Sequence, residues 1–424
     1  MSNKFGVNVK SEIGRLEGVI LHTPGQEVEN MTPKNAERAL YSDILNLSVA
    51  KDEYMQLKGV LNKFCNTFEV MELLEVLLRD ENQKANLLSR ICELEQVQSE
   101  YNRLSDLDSM ELARQLIQGV ILERDTLTKY LSKERFVLRP LHNFFFTRDA
   151  SMSMLDEVLI GRMANRVRER ESVIMEAIFK HHPLFGVDTV NLLNPAYGPI
   201  PDRSATIEGG DVLIAREDVL VIGTGIRTTS QGIDFILETI KKKNSIPRHL
   251  IIQELPSNPE SFIHLDMVFT FLDKDACMVY EPLIMRNNKY QTIHITVDRG
   301  AVTSITTEDN LLTALRKVGI DLKPINCGGS KDPWIQEREQ WHSGANFFAI
   351  APGKVLGYAR NVHTIEEMNK NGFEVVKAHD IISGQVDVHS LGRSVITIEG
   401  SELSRGGGGC RCMTMPVKRQ AVDW

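Results

Sequence analysis

The stretch with the clearest chemical potential is a glycine-rich loop that carries two cysteines. It reads Ser404-Arg405-Gly406-Gly407-Gly408-Gly409-Cys410-Arg411-Cys412, followed by Met413-Thr414-Met415-Pro416. Consecutive glycines suit a place where the backbone passes close to a ligand. A thiol beside cationic side chains tends towards the thiolate, which is the nucleophile. A flexible linker is the alternative for the glycines, and half of a metal site is the alternative for the two cysteines.

Three polar clusters earlier in the chain supply possible partners for a cysteine. Asp149 follows the aromatic run Phe144-Phe145-Phe146, which predicts a buried strand. The motif Glu208-Gly209-Gly210-Asp211 permits a sharp bend and close approach of a ligand. His264 and Asp266 alternate with apolar residues, so a strand there would present both on one face. A thiol, an imidazole and several carboxylates form the general pattern of nucleophilic catalysis.

Each cluster also has a purely structural interpretation. An ion pair with Arg148 is the alternative role for Asp149, and a calcium-binding turn is the alternative for the acidic glycine motif, although its oxygen ligands are few. A single histidine on a strand usually has a structural role. The clusters favour catalysis only when they are combined with Cys412.

The composition argues against several classes of protein. The chain has 424 residues and a net charge of -8 with both signs interspersed, so we expect no nucleic-acid partner. The sequence has no run of about 20 apolar residues, so we expect no membrane association. The first residues lack the apolar core of a secretory signal, and the six cysteines have no framework spacing. Reduced thiols and a cytoplasmic location are therefore expected.

Short apolar runs separated by helix-like stretches predict an α/β protein. About five strand–helix–strand units can be counted, which favours radial repetition over a doubly wound sheet. The segment from about Leu74 to Lys133 differs, because apolar residues recur there every three or four positions and predict several amphipathic helices. Asp106 and Asp108, before Leu112, are typical of a helix start.

Taken in order, the motifs resemble those of the arginine deiminase family, within the guanidino-group-modifying enzyme superfamily. The resemblance extends from about Gly14 onwards and rests on Phe146-Thr147-Arg148-Asp149, Glu208-Gly209-Gly210-Asp211, His264-Leu265-Asp266, Glu337-Arg338-Glu339-Gln340-Trp341, Gly344-Ala345-Asn346, Glu399-Gly400-Ser401-Glu402-Leu403 and Cys412-Met413-Thr414-Met415-Pro416. It implies a five-bladed α/β propeller (the pentein fold) with pseudo-fivefold symmetry. It also implies an all-helical insertion after the first blade. We assign residues 1–73 and 137–424 to the catalytic propeller domain and residues 74–136 to the insertion.

The resemblance also implies roles for individual residues. Cys412 would be the nucleophile and His264 the acid and base, while Glu208 would orient or polarise His264. Asp149 and Asp266 would hold the guanidinium nitrogens of the substrate. Four further residues would bind the substrate. Arg168 and Arg227 would bind its α-carboxylate, Asn143 would assist through its side-chain amide, and Arg405 is a further predicted contact. Some family members have an arginine five residues before the cysteine, where this chain has Gly407. We expect either that Arg405 substitutes for this arginine or that the contact is missing.

The implied reaction is hydrolysis of L-arginine to L-citrulline and ammonia through a thiouronium on Cys412, without a metal or an organic cofactor. A methylarginine hydrolase, an agmatine deiminase, an amidinotransferase and a non-catalytic guanidino-binding scaffold remain alternatives. We also expect a homo-oligomer, whose size the sequence does not define.

Overall fold

The structure is a computed structural model that describes residues 4–38, 40–41, 43–194, 204–243 and 248–424. Within these ranges the chain forms twenty strands and fifteen α-helices. The strands are β1 (Leu16–Leu21), β2 (Asn66–Glu69), β3 (Val120–Ile121), β4 (Phe136–Leu138), β5 (Ser151–Met154), β6 (Glu157–Ile160), β7 (Thr189–Asn191), β8 (Val212–Arg216), β9 (Val219–Thr224), β10 (His249–Glu254), β11 (Phe269–Asp273), β12 (Ala276–Val279), β13 (Thr292–Asp298), β14 (Ala301–Glu308), β15 (Lys323–Asn326), β16 (Phe348–Ala351), β17 (Lys354–Tyr358), β18 (Glu374–Lys377), β19 (Ser394–Ile398) and β20 (Met415–Arg419).

The helices lie mostly between paired strands. They are α1 (Gln26–Glu29), α2 (Pro33–Ala36), α3 (Leu47–Phe64), α4 (Val70–Leu78), α5 (Glu81–Glu95), α6 (Tyr101–Ser105), α7 (Ser109–Gln118), α8 (Leu127–Leu131), α9 (Glu169–His181), α10 (Ser230–Lys243), α11 (Glu281–Ile284), α12 (Leu311–Lys317), α13 (Pro333–Trp341), α14 (Val362–Lys370) and α15 (Ala378–Ile382). None of those in the described part of the chain is long and apolar enough to cross a membrane.

The strands form small sheets that share one pairing pattern. In each pattern a central strand has an antiparallel neighbour on one side and a parallel neighbour on the other. Five such triplets occur among the described residues: β20-β1-β2, β5-β6-β7, β8-β9-β10, β11-β12-β15 and β16-β17-β19. The central strands are almost wholly apolar and buried, as expected for strands paired on both edges and covered by helices. The α/β class predicted from the sequence is confirmed.

The segment between α4 and β4 is mainly helical, and its helices have clear start signals. Asp80 caps α5 by accepting hydrogen bonds from the backbone of Asn82 and Gln83 at 2.9 and 3.1 Å. Asp108 caps α7 in the same way, whereas Asp106 follows the end of α6. The segment is not all-helical, because it contains β3, which pairs with β4 at its C-terminal edge. Its status as a separate insertion stays a prediction.

Two strands predicted near the polar clusters are wrong. Phe144, Phe145 and Phe146 are buried, but they lie in turns and divide between two apolar clusters. Asp266 lies in a short 3₁₀ turn, Leu265–Met267, and His264 occupies the N-cap position of this turn. The strand begins only at Phe269. In both places tertiary contacts bury the apolar side chains without the alternation of a strand.

Candidate active site

A cavity of about 210 Å³ lies where the polar clusters meet. It is lined by seven of the predicted site residues: Cys412, His264, Asp149, Asn143, Arg168, Arg227 and Arg405. The other two, Glu208 and Asp266, are fully buried and contact the lining residues from behind. The structure therefore gathers all nine predicted residues around one cavity.

Asn346 holds the cysteine loop in place. Its side-chain Oδ1 accepts hydrogen bonds from the backbone N–H groups of Arg411 at 2.9 Å and Cys412 at 3.2 Å. Its Nδ2 donates to the Cys412 Sγ at 3.2 Å and to the backbone oxygen of Asp266 at 3.1 Å. The sequence motif that contains this asparagine does not by itself indicate such a role. One amide thus fixes both the backbone and the sulfur of Cys412.

Asp266 lies next to the Cys412 thiol, and Arg411 links it to a second acid, Glu12. Its Oδ2 is 3.7 Å from the Cys412 Sγ and accepts a hydrogen bond from Arg411 Nη1 at 2.8 Å. Arg411 also donates from Nε and Nη2 to Glu12, each at 3.0 Å. The charge of Arg411 is therefore balanced by two buried carboxylates.

The free protein stabilises the neutral thiol. Burial, together with the carboxylates of Asp266 and Asp149, raises the pKa of Cys412 well above its ordinary value. Arg411 lowers this pKa, as expected of a flanking arginine, but burial and the two carboxylates outweigh it. Arg411 and Arg405 are themselves paired with acids. A nucleophilic thiolate requires an additional positive charge in the cavity.

His264 lies between two carboxylates. Its Nε2 is 2.9 Å from Glu208 Oε2, and its Nδ1 is 3.8 Å from Asp149 Oδ1. Burial by itself lowers the pKa of His264, but Asp149 and Glu208 outweigh it and raise this pKa to about 9. His264 is therefore an imidazolium at neutral pH and can donate a proton to a leaving group.

Gly210 makes room for the histidine ring. A Cβ atom at this position would lie 2.5 Å from His264 Nδ1, which is closer than packed atoms approach. The glycines of this motif were expected to admit a ligand, but Gly210 admits an imidazole instead. At its end the motif also contributes Asp211, whose Oδ1 accepts a hydrogen bond from the backbone of Leu265 at 2.8 Å. The motif thus positions the turn that carries His264.

Arg168 is deeply engaged with carboxylates. Its Nη1 donates to Asp149 Oδ2 at 2.6 Å, and its Nη2 and Nε bond to Glu171. Arg148, the sequence neighbour considered as an alternative partner of Asp149, donates from Nε to the backbone oxygen of Arg411. Asp149 is therefore held by an arginine nineteen residues along the chain.

Arg227 is the less constrained of the two predicted carboxylate-binding arginines. Its side chain is 12% exposed, and its Nη1 lies 3.7 Å from Glu208 Oε1. Burial raises the pKa of Glu208, but Arg227 and His264 outweigh it and hold this pKa well below its ordinary value. Arg227 thus adds a positive charge to the cavity wall beside a buried anion.

Arg405 lies at the rim of the cavity. Its guanidinium pairs with Asp43 and, at 3.1 Å, with Glu402. Gly407, where some relatives carry an arginine, has φ +81°, in the left-handed region that favours glycine, and a Cβ there would have no atom within 4 Å. The backbone conformation, rather than a lack of space, accounts for glycine at this position.

Asp149, Glu208 and His264 offer potential metal ligands within 4.8 Å of one another. However, both ring nitrogens of His264 face carboxylates, and an imidazolium has no lone pair for a metal. We interpret the three groups as a proton-transfer network. Among the described residues the pair of Cys410 and Cys412 forms no group with metal-ligand geometry.

Several solved structures have the same fold as this chain. The N-terminal domain of ArgZ, described as an arginine dihydrolase from cyanobacteria and solved with its product, aligns with a TM-score of 0.52. The match covers 95% of this chain and 97% of that one, at 13% identity. SxtG, an amidinotransferase from Microseira wollei, gives a TM-score of 0.52, covering 98% of each chain at 12% identity. The protein has the α/β fold of this group. In this chain the fold encloses a buried cysteine, a histidine and carboxylates.

Sequence comparison then defines the family. The sequence model described as Arginine deiminase matches residues 37–419. The arginine deiminase of Oenococcus oeni is 30% identical, covering 100% of both chains. That of Bacillus thuringiensis subsp. konkukian is 33% identical, covering 99% of this chain and 100% of its own. The chain belongs to the arginine deiminase family, so the resemblance inferred from the motifs is confirmed.

Proposed function

We propose that the protein is an arginine deiminase, a hydrolase that converts L-arginine and water to L-citrulline and ammonia. The observation that carries this proposal is the placement of Cys412 beside Asp266, in a cavity that it shares with His264 and Asp149. The names and the sequence identity of the relatives support the same reaction. A variant of the N-terminal domain of ArgZ, solved covalently bound to a reaction intermediate, supports a covalent mechanism for this chain as well.

Substrate binding places one cation among several buried anions. The guanidinium of arginine binds between Asp149 and Asp266, since a planar fork of N–H donors suits paired carboxylates. Its charge then favours ionisation of the neighbouring Cys412 thiol, whose proton leaves to solvent. Because the free thiol is neutral, the substrate itself supplies the charge that activates the nucleophile.

In the covalent steps His264 acts first as a general acid and then as a general base. The Cys412 thiolate attacks the guanidinium carbon, and the imidazolium of His264 donates its proton to the departing nitrogen, which leaves as ammonia. A thiouronium remains on the sulfur. The neutral imidazole next takes a proton from water, and the resulting hydroxide adds to the same carbon. The adduct then collapses to citrulline: the C–S bond breaks, and the proton of the added hydroxyl passes to the departing sulfur, which restores the neutral thiol. Glu208 keeps the ring oriented and stabilises its charged form at both stages.

The amino-acid end of the substrate meets the arginines of the cavity wall. Arg227 is the primary contact for the α-carboxylate, because its guanidinium is less constrained by protein partners. Arg168 lines the same cavity and adds positive charge, while its own donors support Asp149 and Glu171. Asn143 and Arg405 complete the wall, and Arg405 takes the place of the arginine that is missing at Gly407.

For the fold in finer detail, we propose a five-bladed α/β propeller. The five strand triplets with identical pairing support one blade each. Residues 74–136 form a helical insertion in this scheme, and 1–73 with 137–424 form the catalytic domain. A cytoplasmic location and a homo-oligomer remain predictions, which fractionation of cells and light scattering on the purified protein would check.

The proposed reaction is tested by measuring citrulline and ammonia from arginine, with methylarginine and agmatine alongside. Cys412→Ser should abolish turnover, because a hydroxyl in this anionic site is a far weaker nucleophile than a thiolate. Cys410→Ser is the matched control and should keep most activity, since Cys410 is buried and does not line the active-site cavity. An active Cys412→Ser protein, or a wild-type protein that turns over agmatine in preference to arginine, would refute the proposal.

A further inference from the structure

A second cavity of about 210 Å³ lies beside the active-site cavity. Asn143 lines both, so the two spaces adjoin at this residue. The proposed reaction leaves this second cavity without a role. It is formed by the end of α5, the strand β4 with the residues after it, and the residues that lead into α9.

The lining of this second cavity carries a net positive charge. Four arginines line it: Arg38, Arg139, Arg166 and Arg170. The acidic groups that face it are Glu95 and Glu169, so positive charge is in excess. Glu134, outside the lining, pairs with the exposed side chains of Arg38 and Arg139 at 3.3 and 3.7 Å. A cluster of this kind favours an anionic ligand.

Arg170 is the residue that marks the cavity as a binding site. It is 1% exposed, and its Nη2 donates to the backbone oxygen of Arg139. Its Nε lies 3.5 Å from Glu95 Oε1, and its Nη1 has no hydrogen-bond partner in the described part of the chain. A buried guanidinium donor without an acceptor is costly. Burial also lowers the pKa of Arg170, which indicates that its neighbours compensate its charge incompletely.

The helix that follows reinforces the preference for an anion. Helix α9 is thirteen residues long, and Glu169 and Arg170, its first two residues, line the cavity. The helix continues directly from a 3₁₀ turn, Arg166–Arg168, and the Glu169 N–H donates to the backbone oxygen of Arg166, so α9 contributes the positive end of its dipole rather than free N–H groups. The start of α9 supports an anion site only in combination with the buried guanidinium of Arg170.

We propose that this second cavity binds a small anion that carries a phosphate group, either inorganic phosphate or a small phosphate monoester. A tetrahedral dianion presents acceptor oxygens in more directions than a planar carboxylate and carries more charge, so it suits several guanidinium groups that converge on one cavity. Arg170 contacts it from the base, and Arg139 and Arg166 contact it from the exposed side. Because Asn143 lines both cavities, the anion binds next to the substrate site but not within it.

Calorimetric titration of the full-length protein with inorganic phosphate tests the proposal, with glycerol phosphate as a second probe and sodium chloride matching the ionic strength. Wild-type protein should bind at least one probe saturably. Arg139→Gln and Arg166→Gln should each weaken binding about tenfold, the loss of one charged contact. Both positions are exposed, so these variants should fold, which circular dichroism checks.

Two control variants distinguish binding in this second cavity from binding elsewhere on the protein. Arg114→Gln removes an exposed arginine outside the cavity and should leave binding unchanged. Arg227→Ala alters the active-site cavity and should also leave phosphate binding unchanged. The proposal would be overturned if wild-type protein showed no saturable binding of either probe. It would also be overturned if the Arg139 and Arg166 variants bound phosphate as tightly as wild type, or if Arg227→Ala lost binding. The readout is binding, so its failure is independent of whether arginine is hydrolysed.

Discussion

Replacing Glu208 with glutamine tests the assignment of His264 as the proton-transfer group. A glutamine has nearly the same shape and can still accept the hydrogen bond that now spans 2.9 Å, but it lacks the negative charge. With that charge present, the pKa of His264 is raised to about 9. Without it, burial is opposed only by the remaining carboxylates, and the pKa should fall towards the ordinary value of about 6.5.

The magnitude follows from the fraction of imidazolium. At pH 8.5 a group with a pKa of about 9 is mostly protonated, whereas one with a pKa of about 6.5 is about 1% protonated. Asp149 still faces Nδ1 at 3.8 Å in Glu208→Gln and retains part of the shift. We therefore expect kcat/KM to fall roughly 10- to 70-fold at pH 8.5, but only a few-fold at pH 6.

The assay is citrulline formation by Glu208→Gln and wild-type protein between pH 6 and pH 9. Glu27→Gln is the matched control, because Glu27 also pairs with a buried histidine, His22, at 3.2 Å but does not line the active-site cavity. Its ratio to wild type should not vary with pH. A constant ratio for Glu208→Gln across the whole range would show that the charge of His264 does not limit the reaction.

Two further variants examine the substrate contact and the thiol. Arg227→Ala should reduce kcat/KM for arginine by roughly 30-fold more than for agmatine, which has no carboxylate to lose; equal losses on both substrates, measured in one ammonia assay, would contradict this role. Asn346→Ala should lower kcat about tenfold or more, because it releases both the Cys412 sulfur and its backbone. An unchanged kcat with a raised KM would instead make Asn346 a binding residue.

The residue types at the site were predictable, because the side chain of each residue and its neighbours in the sequence are enough to suggest a chemical role. Cys412, His264 and the two glycine-flanked acids could be singled out before their positions in space were known. Their backbone could not be predicted as well, since alternation of polar and apolar residues around His264 also fits a 3₁₀ turn. What selects the turn is a hydrogen bond from Leu265 to Asp211, 54 residues away.

The pairing of charges was predicted least well, because the partners are far apart in the sequence. Arg148 is next to Asp149 in sequence, yet Asp149 bonds to Arg168. Arg411, next to Cys412, lowers the pKa of the thiol, but burial and the carboxylates of Asp266 and Asp149 outweigh it. Its partner Glu12 lies 399 residues away in the sequence. Local charge patterns identify which groups are present, while the fold decides which of them neutralise each other.

The antiparallel pairing of β1 with β20 has a consequence for how the enzyme acquires activity. Val19 pairs with Pro416, which closes a loop of about 400 residues, and such contacts form late because the chain entropy must be lost first. Cys412 lies three residues before β20, so we expect its approach to Asn346 and the cavity to be coupled to this pairing. Catalytic activity should therefore be the last native property to appear on refolding, after the other sheets have formed, and the thiol should stay open to alkylating reagents until that moment.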